Sequence, residues 1–89
     1  NPKPAMRNFN VILFEERGRR AWRMPAPAHA SLLLTAWAVA ASLHATGYVV
    51  QGVQEGGNDW IRLALVDPDG RPASALIWPG KSPLNPNLR

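Results

Sequence analysis

A gap in the charges constrains this chain more than any other feature. Between Arg23 and Glu55 lie 31 residues without a formal charge, and both histidines of the chain, His29 and His44, fall inside that gap. A dense basic turn precedes it, Arg17-Gly18-Arg19-Arg20-Ala21-Trp22-Arg23. Short β-favouring runs joined by Asp67-Pro68-Asp69-Gly70 follow it. The gap is rich in alanine and leucine, both strong helix formers. It predicts a helix over about 28–46, with Pro27 in the first turn, Ser31 as a competing N-cap and Gly47 as the left-handed residue after the end.

The predicted helix is apolar nearly all round. Leu32, Ala36, Val39, Ala40 and Leu43 form one stripe, and Leu33, Leu34, Trp37, Ala38 and Ala41 spread over the rest. A surface helix ordinarily has one apolar and one polar face, so this one is expected to be covered on two sides. A membrane span needs about 20 apolar residues, but Ser31, Thr35, Ser42, His44, Thr46 and Gly47 interrupt the candidate stretch. The membrane reading is therefore set aside. No second helix offers cover within the chain. The expectation is a homodimer, with Leu33, Leu34, Trp37, Ala38 and Ala41 at its seam.

Periodicity places strands on both sides of the helix. Phe9 to Phe14 is apolar on both faces and is expected near the middle of a sheet. Glu15-Glu16-Arg17-Gly18 turns the chain, and Arg19 to Met24 returns until Pro25 and Pro27 end the strand. Tyr48 to Gln54, Trp60 to Val66 and Arg71 to Trp78 supply three more. Asp67-Pro68-Asp69-Gly70 is a turn by composition. The expected fold is α+β in two layers, one long helix on a mainly antiparallel sheet of about five strands in the order ββαβββ. Residues 6–80 form the single domain. Residues 1–5 read as an expression remnant or disordered leader, and 81–89 as an irregular tail. Ile12, Leu32, Ala36, Leu43, Ile61 and Leu63 are expected to be buried together.

The net charge of +4 invites a nucleic-acid reading, but Lys3, Lys81 and Arg89 lie in the tails. Residues 6–80 hold seven basic and six acidic groups, a net of +1, too little for a general electrostatic argument. Local clustering is what remains. Arg17, Arg19, Arg20 and Arg23 around Trp22 have the composition of a phosphate-holding and base-stacking hairpin. The simpler reading is a solvated turn in which Glu15 and Glu16 pair with Arg19 and Arg20 for little gain. Arg20 and Trp22 share one face of their strand, and Trp60 and Arg62 share one face of theirs. If the two faces coincide, the sheet side away from the helix is a Trp/Arg surface, and these residue types are enriched at binding hot spots. The simpler alternative has Trp22 and Trp60 filling the margins of the core.

Catalytic chemistry finds little footing. There is no cysteine, which excludes disulfides and thiolate metal sites. His29 and His44 stand 15 residues apart and cannot share a metal within one helix. Asp67 and Asp69 are explained by their turn. No phosphate-loop, dinucleotide or nucleophile-elbow motif is present. We therefore expect no metal or cofactor and no enzyme. The reading is a small non-enzymatic binding or accessory module, cytoplasmic and, from its Arg- and Ala-rich composition, bacterial. It pairs with itself and with an unidentified protein or small molecule. Two alternatives stand beside it: a nucleic-acid-binding regulator using 17–23, and a small-ligand pocket at a dimer seam.

Overall fold

The computed structural model describes residues 6–57 and 59–80. The expectations for 1–5 and 81–89 lie outside that range. Five strands form one antiparallel sheet: β1 (Met6–Glu15), β2 (Gly18–Pro27), β3 (Val49–Glu55), β4 (Ile61–Val66) and β5 (Pro72–Pro79). The helix α1 (Leu32–Ala45) lies between β2 and β3 in the chain. The spatial order is β2-β1-β5-β4-β3, so β2 and β3 are the two edges. The α+β class, the element order and the interior place of β1 are as the sequence indicates.

The register explains why β1 reads as apolar on both faces. Residues directly opposite in an antiparallel ladder project to the same side. Phe9, Val11 and Leu13 stand opposite Pro79, Ile77 and Ala75 on β5, and Ile77 and Ala75 stand opposite Ile61 and Leu63 on β4. This side packs under α1 through Ala36, Val39 and Leu43, with Tyr48 and Leu65 completing the main core. The other side holds a second, smaller cluster of Ile12, Leu76 and Trp78, with half-buried Trp60 packed on it. Ile12 therefore does not join the helix-side core as expected. The period-2 pleat sends it to the opposite face from Val11 and Leu13. Leu32 sits only at the margin of the main core, and Thr35, which sequence reasoning omitted, is buried.

Three boundaries differ from expectation by three residues or more, the first being β1, which begins at Met6 rather than Phe9. The helix starts at Leu32, four residues later than predicted, because Ser31 takes the N-cap: its Oγ accepts from the Leu34 N–H at 3.0 Å. That bond satisfies a donor that would otherwise be orphaned. Pro27 instead precedes the helix in a turn in which Ala30 N–H donates to its carbonyl. Strand β2 runs through Pro25 to Pro27 rather than stopping before them. An edge strand has one unpaired side, so proline costs it no ladder bond there. The helix C-terminus is as predicted. Gly47 has φ +100°, its N–H donates to His44, and Tyr48 N–H donates to Leu43, the paired bonds of a Schellman end. The turn after β4 is held by Asp67, whose Oδ1 accepts from the Asp69 and Arg71 N–H groups at 2.9 Å.

Candidate interaction surfaces

The first surface lies where α1 meets edge strand β3. Four residues of α1 are buried, Thr35, Ala36, Val39 and Leu43, and its outer side is open. Leu33 is 48% exposed, Leu34 59% and Trp37 67%, and on β3 Val53 is 56% exposed. Ala38 and Ala41 are exposed beside them. Between helix and strand runs an apolar groove of about 110 Å³ lined by Leu33, Ala36, Trp37, Ala40, Val50, Val53 and Leu63. Ligand pockets span roughly 300–1,000 Å³, so this groove takes an inserted side chain better than a metabolite. Sequence reasoning found the helical half of the surface and missed the strand half. The signal was Val50 and Val53 straddling Gly52, where a register shift lets both valines face the helix side.

The second surface is the side of the sheet away from α1. The anticipated Trp/Arg surface does not form there as proposed, because the two pairs lie on opposite faces. Arg20 and Trp22 stand opposite Leu13 and Val11, which places them on the helix side. Arg62 stands opposite Leu76, on the other side, and Trp60 packs against the cluster there. Arg19 and Arg23 stand opposite Phe14 and Asn10 and share the Arg62 side. Arg17 is exposed in the β1–β2 turn. The basic run is thus divided: Arg17 at the tip, Arg20 on one face, Arg19 and Arg23 on the other.

The carboxylates beside that run do not pair with Arg19 and Arg20 as expected. Glu16 meets Arg71 at 3.4 Å, and both side chains are largely exposed. Glu15 accepts a hydrogen bond from the Tyr48 hydroxyl. Burial and then that hydrogen bond hold the Tyr48 pKa above the usual phenol value, with Arg20 nearby pulling the other way. Tyr48 thereby ties the start of β3 to the β1–β2 hairpin. His44 is exposed, its Nδ1 3.3 Å from the Tyr48 carbonyl, and His29 is exposed ahead of the helix. Of the two strand tryptophans singled out from the sequence, Trp60 packs on a core cluster and Trp22 belongs to neither cluster. Trp22 remains 37% exposed on its edge. Trp60 lies against Gly56, where an added Cβ would come within 2.0 Å of the indole.

Arg7, which sequence reasoning did not single out, braces the chain entering the helix. It donates to the Ala30 carbonyl at 3.1 Å and lies over the Phe9 ring at 4.6 Å. Among the described residues no helix is long and apolar enough to cross a membrane, and no three His, Asp or Glu side chains gather as metal ligands would. Comparison with protein-family models, curated proteins and solved structures finds no match to this chain.

Proposed function

We propose that this chain is a non-enzymatic binding module that self-associates through the face formed by the outer side of α1 and edge strand β3. One observation carries the reading. The exposed side chains of Leu33 and Trp37 on the helix and of Val50 and Val53 on β3 border a single groove, and neither element has a formal charge before Glu55 at the strand's end. Leu33, Leu34, Trp37, Val50 and Val53 are all exposed, and the largest apolar patch on a typical monomer is about 300–600 Å². A standard interface buries about 800 Å² per partner, so these residues make its centre and the flanking alanines extend it. The partner that fits best is a second copy. A neutral face meeting its own image brings no like charges together, and a two-fold contact requires only self-complementarity.

Sedimentation equilibrium at micromolar concentration tests this directly. The expected species is a dimer or larger for the wild type, and a folded monomer for Trp37→Glu. A wild type that stays monomeric and folded throughout that range removes the proposal.

A further inference from the structure

The side of the sheet opposite α1 supports a second kind of contact. The strand register sorts the charges by face. Arg19 and Arg23 on β2 and Arg62 on β4 project away from the helix. No strand position on that face carries a carboxylate: Glu15 and Glu55 stand opposite Gly18 and Ile61, on the helix side. The remaining acids, Glu16, Asp59, Asp67 and Asp69, all lie in the connections between strands. Glu16, at the margin of the face, is already matched by Arg71. The strand positions of that face therefore carry charge of one sign, while Glu15 and Glu16 reach the hollow beside Phe14 and Arg62.

The three arginines form a triangle. Arg62 lies three strands from β2, roughly 14 Å away, and Arg19 and Arg23 are about 13 Å apart along β2. Two aromatic rings lie within that frame or beside it. Phe14 stands between Arg19 and Ser74 and is 37% exposed. Trp60 is half-buried against Trp78. A shallow hollow of about 330 Å³ is lined by Phe14, Ser74 and Arg62 together with Pro72, Ala73, Glu15 and Glu16. Cations spaced over several residues, with an exposed ring and a hydroxyl among them, match the way single strands are held. Phosphates meet guanidinium groups, and bases stack on a ring in a sequence-tolerant way. A flat sheet cannot enter a duplex groove as a helix or ribbon does, so unpaired strands are the favoured form.

We propose that this face binds single-stranded nucleic acid, with Arg19, Arg23 and Arg62 on the phosphates and Phe14 stacking a base. The assignment differs from a hairpin reading of residues 17–23: it includes Arg62 and excludes Arg20. It is independent of self-association, which uses the other side of the sheet.

Fluorescence anisotropy tests it with labelled oligo-dT and oligo-rU of about 12 nucleotides, the matching duplex, and heparin as a polyanion without bases. The wild type is expected to bind the single strands at ~0.15 M salt and to prefer them over duplex and heparin. Its affinity should fall with salt, and Arg62→Ala and Arg23→Ala should each flatten the log–log salt slope by about 0.7, the single-strand value per phosphate. Phe14→Ala should weaken binding roughly tenfold with the slope unchanged. Arg20→Ala removes the same charge from the opposite face and should have little effect. Circular dichroism establishes that each variant is folded, and Arg62→Lys, which keeps the charge, should retain the slope. Absence of wild-type binding, equal binding to heparin, or a loss in Arg20→Ala as large as in Arg62→Ala would each overturn the assignment.

Discussion

The two edges of this sheet solve the same problem in opposite ways. An edge strand presents unpaired backbone groups, and proteins blunt such edges with charge and proline. Strand β2 carries Arg19, Arg20 and Arg23 and ends in Pro25 and Pro27. Strand β3 has no charge before Glu55, and its exposed large hydrophobic side chains are Val49, Val50 and Val53. Its one protective device is the irregularity between Val50 and Gly52, a feature that bends an edge away from pairing. Helix α1 widens the contrast, because Leu33 and Trp37 lean over the β3 side. One edge is guarded against strand pairing, and the other borders the face proposed here for self-association. Protection is thus specified strand by strand rather than for the sheet as a whole.

The contrast can be broken at the floor of the β3 groove. Leu63 is 3% exposed and lies both in the main core and under the groove. Leu63→Ala should cost about 2–5 kcal/mol in a urea melt, the range for a buried leucine. A loss below about 0.5 kcal/mol would mean that β4 presents its other side to the helix. The next effect is on assembly. Trp37→Glu should weaken self-association about 30-fold or more, the scale of a hot-spot residue, and leave monomer stability nearly unchanged. Ala21→Glu on β2 is the matched control, and its dimerisation should equal the wild type. If both substitutions weaken association equally, the two edges are not different in kind.

At the end of β3, Gly56 has no room for a side chain beneath Trp60. Gly56→Ala should cost about 1–3 kcal/mol, as overpacking does, and shift the tryptophan emission. An unchanged spectrum and stability would show that the indole lies elsewhere.

The smallest effect concerns the link between the start of β3 and the end of β1 through Tyr48 and Glu15. A phenol whose pKa is raised by folding stabilises the native state fully below the unfolded pKa of about 10. Above that value the unfolded chain loses its proton first, so stability falls as pH rises through the folded pKa. Tyr48 is the sole tyrosine, so its phenolate absorbance reports this pKa without interference. We expect a midpoint above 10 in the native protein and about 1 kcal/mol lost in Tyr48→Phe at pH 8. That variant should also lose the wild type's Tyr48-dependent decline in stability above pH 10. A native midpoint at or below 10 would contradict the buried, hydrogen-bonded geometry.

Local chemistry made much of the architecture legible from the sequence. Alanine and leucine content gives the helix, Ser31 and Gly47 punctuate it, and Asp67-Pro68-Asp69-Gly70 closes a hairpin by its own side-chain bonds. Period-2 alternation in Ile61-Arg62-Leu63-Ala64-Leu65 places that strand's apolar side correctly under the helix. These signals act within a few residues of the chain, and so a linear reading recovers them. The outward half of the groove surface was legible for the same reason, since Leu33, Leu34 and Trp37 cannot all face one sheet from a single helix.

Pairing decided the rest. Whether Arg20 and Trp22 share a face with Trp60 and Arg62 depends on the registers of three ladders, and one step of register reverses every side chain. The same registers separated Ile12 from Val11 and Leu13, gathered Arg19, Arg23 and Arg62 on one side, and set Phe14 among them. The tolerance of Pro25 and Pro27 rests on β2 being an edge, a property of the assembled sheet. Strand order determines which residues far apart in the chain become neighbours, and no local preference of β2 or β4 carries that information.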